Sequence, residues 1–184
     1  MRKLFAMFGV ALLGLAVWVA PGMARQFGGE RRSPPAKASC RFADGKIITV
    51  EYSSPRVRGR KIFGDLVPYG QVWILGANQA TTFDTTANLT ADGKPIPAGK
   101  YTLFAIPNPD SWTLIVNKTS RDAIGFMSYY PGKSSDLARL SMSISKLPSK
   151  REDFTISLVP GGSACTMRFD WDLTRASLVV RERK

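Results

Sequence analysis

Strict two-residue alternation in the C-terminal third most narrows what this chain can become. Leu140, Met142 and Ile144 alternate with Ser141, Ser143 and Ser145; Phe154, Ile156 and Leu158 repeat the pattern. Cys165, Met167, Phe169 and Trp171 do so again, against Thr166, Arg168, Asp170 and Asp172. Successive side chains of a strand point to opposite faces, so such runs describe strands with one buried and one wet face. No segment beyond the N-terminal apolar run sustains a 3.6-residue repeat. Turn signals recur between the runs: Asp44-Gly45, Asp92-Gly93, Asn108-Pro109-Asp110-Ser111 and Pro160-Gly161-Gly162-Ser163. In the two Asp-Gly turns glycine accepts the positive φ that a tight hairpin needs. The expected fold is all-β, a single antiparallel β-sandwich or flattened barrel of about nine strands with two long loops, residues 52–82 and 119–135.

Residue order at the N-terminus sets the domain plan. Arg2 and Lys3 precede an apolar run from Leu4 to Ala20, and Pro21-Gly22-Met23-Ala24 places small residues at the positions that signal peptidase reads. Residues 1–24 therefore read as a signal peptide, 25–38 as a flexible tail poor in apolar residues, and 39–184 as the β-sandwich domain. The expected location is periplasmic or extracellular, with membrane attachment only if the leader stays uncleaved. A chain of 184 residues with 44% hydrophobic and 22% charged residues suits one domain with a core. Losing Arg2 and Lys3 changes the count to 24 basic against 14 acidic side chains, so +12 becomes +10. The cations are scattered, which argues for a basic soluble surface and against specific nucleic-acid binding.

Histidine is absent, which removes Ser-His and Cys-His chemistry and most zinc sites. No metal or other cofactor is expected. Cys40 and Cys165 are the two cysteines; in an oxidising compartment an even pair invites a disulfide, two separate buried thiols being the alternative.

The stretch Tyr52–Thr82 has no period. Its glycines and prolines break regular structure, yet Ile62, Phe63, Leu66, Val67, Val72 and Trp73 are too apolar for a solvated linker. A long ordered loop of this kind is a natural place for function. Two constellations could carry catalysis without histidine: the carboxylates of Asp170 and Asp172 on one strand face, and a serine-lysine dyad from Ser53, Ser54 and Lys61. Neither has a marking spacing, so no residue is assigned as catalytic. Tyr52, Arg60, Trp73 and Asn78 would instead supply a stacking surface, an anion fork and an amide, a set suited to a sugar or carboxylate. The competing structural role puts Trp73 in the core, pairs Arg60 with Glu51 or Asp65, and spends Asn78 on loop backbone. Non-catalytic binding of a polar small molecule, glycan or envelope protein is the favoured function. A histidine-free hydrolase and a purely structural envelope protein stay open.

The runs YSSP, GRKIFGDLVPYG, VW and GANQAT, followed by PAGKYTLFAIP and WTLIVNK, resemble the uncharacterised bacterial family catalogued as domain of unknown function 2911. The resemblance covers roughly Cys40 to Trp171 and implies an exported all-β domain with no established activity. Relatives usually carry WRTGANEAT where this chain has residues 73–81. Ile74 and Gln79 thus replace an arginine and a glutamate, and a pairing of those charges would be lost here.

Overall fold

The computed structural model describes residues 32–119 and 129–183. The expected signal peptide, the tail up to Arg31, and Phe126 and Met127 of the second loop lie outside them. Nine strands run in chain order: β1 (Pro35–Arg41), β2 (Ile47–Ser53), β3 (Thr81–Thr85), β4 (Leu89–Ala91), β5 (Lys94–Ile96), β6 (Gly99–Pro107), β7 (Ser111–Asn117), β8 (Asp136–Gly161) and β9 (Ala164–Glu182). All pairings are antiparallel, in the order β1-β2-β3-β6-β7-β8-β9-β4-β5. The all-β expectation holds, with one open sheet that does not close into a barrel; among the described residues the only helix is a single 3-10 turn, Lys133–Ser135.

Local pattern explains the strands. In β7 Trp112, Leu114 and Val116 turn into the main core, while Ile115 joins Ala80 and Phe104 in a smaller cluster on the other face. That smaller cluster is capped by Tyr130, whose ring meets Phe104 edge-on at 5.3 Å. Covering a core edge is thus what one aromatic of the second loop does.

Two boundaries differ from the sequence reading. The flexible tail was expected to reach residue 38, but β1 begins at Pro35, where pairing with β2 sets Ala36 and Ala38 against the core while Lys37 points to solvent. Four expected C-terminal strands are two long ones. β8 pairs with β7 and the end of β9 through its first half, then shifts register between Lys146 and Thr155 and pairs with the start of β9. Irregular pairing of this kind bends a strand and raises its twist.

The bend lets the distal half of the β8–β9 hairpin face β1 and β2. A disulfide joins Cys40 of β1 to Cys165 of β9, with Cα atoms 6.4 Å apart. Tyr52 of β2 lies beneath Phe154, ring centroids 5.7 Å apart, and its hydroxyl accepts the Ile156 N–H at 3.0 Å. A second layer is made in this way from one continuous sheet. The core cluster and all nine strands lie between Pro35 and Glu182, so a chain starting at Arg25 keeps every strand and core contact described.

The first hairpin turn carries a charge triad. Lys46 Nζ lies 2.5 Å from Asp44 and 2.7 Å from Glu182. The hydrogen bond from Lys46 lowers the Asp44 carboxyl from 3.8 to about 2, and Asp44 and Glu182 raise Lys46 to about 12. A carboxylate whose folded value lies below its unfolded one stabilises above the unfolded value and loses that contribution as pH falls through the folded one. Carboxyl-detected NMR titration is expected to give Asp44 a midpoint near 2, moving back toward 3.8 in Lys46→Ala. An unmoved midpoint would refute the pairing.

Candidate functional site

The loop 54–80 is built into the core rather than laid over it. Pro55 O accepts from Phe154 N at 2.8 Å and Val57 N donates to Glu152 O at 2.9 Å, so the loop's start runs along β8 like a short extra strand. Val57, Ile62, Val67 and Leu75 are then buried. Trp73 exchanges both backbone hydrogen bonds with Ala105 of β6, at 2.8 and 2.9 Å. Those anchors hold its indole in an aromatic cluster: stacked with Trp171 at 5.8 Å and 15°, and edge-on to Phe154 at 5.0 Å and Trp112 at 6.0 Å. Its Nε1 donates to Gly76 O at 3.1 Å.

Beyond Trp73 the chain turns through left-handed backbone. Leu75 and Asn78 have φ of 55° and 62°, values L side chains seldom adopt. Leu75 is held there by complete burial, and its carbonyl accepts the Thr81 hydroxyl at 2.7 Å. Gly76 leaves room for this wedge, since a Cβ at that position would lie 3.0 Å from the Ser53 carbonyl oxygen.

A groove of about 500 Å³ opens along the outside of this loop. Trp73, Trp171, Val67, Ile74 and Pro55 line it together with Arg32, Arg58 and Arg60, and among the described residues its lining contains no acid. Arg60 is fixed in place: Nε donates to Val57 O at 3.1 Å and an Nη to Arg56 O at 2.6 Å. A guanidinium has five N–H donors, so three stay available for a ligand. Arg58 bonds Glu152 through its backbone N–H, at 2.7 Å, which leaves its side chain on the rim. An apolar floor under several arginine forks suits a flat, anionic, partly apolar molecule.

The four residues singled out from sequence are separated by this geometry. Arg60 and Trp73 line the groove together. Asn78 is exposed next to it, and its amide donates to Ser33 O at 3.2 Å, tying down the incoming chain. Tyr52 is 7% exposed and faces β8; it borders a different depression, with Pro35, Lys37, Glu51 and Gln79. Its burial raises the phenol's pKa. The partners weighed for Arg60, Glu51 and Asp65, are replaced by backbone carbonyls. The run Arg56, Arg58, Arg60 and Lys61 is the local sequence signal for Arg58. Trp171 was legible only as an inward strand position, since nothing local tells that the loop's tryptophan stacks on it.

Asp170, Asp172 and Ser54, from the two sets considered for catalysis, are engaged in structural contacts. Asp170 is buried and takes a bidentate fork from Arg175, at 2.8 and 2.6 Å. That bonding raises the Arg175 pKa. Asp172 lies 3.5 Å from Lys150. The Ser54 hydroxyl donates to Phe154 O at 2.7 Å, away from Lys61. Among the described residues no group of three or more His, Cys, Asp or Glu could hold a metal ion.

A family model described as "Protein of unknown function (DUF2911)" matches residues 33–180. No curated protein and no solved structure matches the chain.

Proposed function

Because the chain belongs to the DUF2911 family, whose description carries no activity, we propose its function from the loop groove: an exported, non-catalytic domain that binds a carboxylate-bearing sugar or a similar polar anion. One observation carries the reading. Arg60 is held by two backbone carbonyls at the edge of a groove floored by Trp73, with Arg32 and Arg58 beside it and no acid among the described residues of the lining. A pre-positioned guanidinium loses little freedom on binding, and the part of Trp73 that lines the groove offers apolar surface to a sugar ring. Export draws support from the leader's residue order and from the Cys40–Cys165 bridge.

Isothermal titration with oligogalacturonate, against the neutral galactose oligomer, tests the reading. The acidic ligand is expected to bind and the neutral one to bind far more weakly. A charge-assisted hydrogen bond contributes about 1.5–3 kcal/mol, so Arg58→Ala or Arg60→Ala should each weaken binding by about ten- to a hundredfold. Equal affinity for both sugars, or indifference to both substitutions, would leave the loop as a core-forming scaffold only.

A further inference from the structure

We propose that the same loop carries a docking face for an anionic phospholipid surface, formed by Leu66, Tyr69 and Val72 beside the arginines of the groove. Among the described residues seven large hydrophobic side chains are exposed, and three of them, Leu66 at 43%, Tyr69 at 42% and Val72 at 38%, fall within one stretch of seven residues. Single exposed apolar residues need no explanation; a cluster does. Leu66 and Val72 line one depression of about 230 Å³ that runs into the groove, where Leu66 meets Arg32, Arg58 and Arg60. Tyr69 is held over the backbone of Gly64, where a Cβ would come within 2.7 Å of its ring.

This combination matches a bilayer interface. Leucine and valine enter the boundary between headgroups and acyl chains, a tyrosine sits at headgroup level, and arginine forks pair with phosphates. Charge selects the occupant. The chain from Arg25 carries +10, and Asp65 is the one carboxylate between Lys61 and Val72. An anionic leaflet attracts such a face, whereas a neutral one has only the three apolar side chains to hold. The proposal shares the arginines and Leu66 with the groove reading but rests also on Tyr69 and Val72, which lie outside the groove lining.

The test is co-sedimentation of the chain from Arg25 with vesicles of phosphatidylcholine, with and without about a quarter phosphatidylglycerol. Binding is expected to the anionic vesicles only, to be released by high salt, and to fall by about tenfold or more in the double variant Tyr69→Ser, Val72→Ser, whose two positions lie outside the groove lining. That variant should keep the wild-type circular dichroism spectrum and its affinity for oligogalacturonate, which separates this proposal from the groove reading. Wild-type binding by the double variant would mean that scattered charge alone is responsible and would overturn the docking face. So would no binding by the parent chain, or a self-association without vesicles that the double variant abolishes, since a second copy would then cover the face.

Discussion

Removing the Cys40–Cys165 bridge, as Cys40→Ala with Cys165→Ala, is expected to lower stability by about 5 kcal/mol, the chain-entropy value for a closed loop with a sequence separation of 125. For a domain of this size that is a fall in Tm on the order of 10–20 °C. The location explains the size of the effect. The bridge ties edge strand β1 to the first turn of β9, and these strands are not neighbours in the hydrogen-bonded order. Much of what holds the two layers in register besides core packing is the short seam between residues 54–57 and 152–154. Differential scanning calorimetry of the oxidised protein and the double variant measures the loss. Equal melting temperatures would show that packing alone holds the layers together.

Trp171→Ala is the other severe change. The side chain is 2% exposed, stacks on Trp73, and meets Phe63 and Phe154 edge-on at 6.1 and 5.8 Å. Truncation leaves a cavity among aromatic rings and removes one of two donors to the Glu152 carbonyl, which accepts from the Trp171 Nε1 at 3.2 Å and from Val57 N at 2.9 Å. Large aromatic-to-alanine changes in cores cost about 3–5 kcal/mol. Trp171→Phe should recover much of this, since it keeps an aromatic ring against Trp73. Denaturant unfolding followed by circular dichroism gives both numbers. A loss below about 1 kcal/mol would mean that the cluster closes over the gap, as collapsible sites can.

Much of the fold could be read without coordinates because its signals are local. Alternation marks a strand wherever one face is buried, and Asp44-Gly45, Asp92-Gly93 and Gly161-Gly162 mark turns because the backbone there needs positive φ. Family resemblance was carried by ordered motifs, and the family match over residues 33–180 bears it out. Cys40 and Cys165 could be paired only because no other cysteine competes. What stayed hidden was long-range. β5 begins Lys94-Pro95, a poor strand signal, and forms because β4 offers a partner. The union of four apparent strands into β8 and β9 depends on irregular pairing that has no composition of its own. Of the four residues singled out, Arg60 and Trp73 line one groove, while Tyr52 was drawn under β8 by the Ile156 N–H, a partner 104 residues away.

The strand order has a consequence for when the chain can fold. β1 and β2 come first in synthesis, yet the layer that covers them is the distal half of β8 and β9, and β4 and β5 join the sheet only through β9. Nothing made earlier can stand in for the last strand. A nascent chain therefore cannot enclose this core until β9 is free to pair, and folding dominated by such distant pairings is intrinsically slow. For a protein exported as we propose, that delay is useful, because a chain that has not yet closed can still be threaded through a secretion channel and lock into shape on the far side.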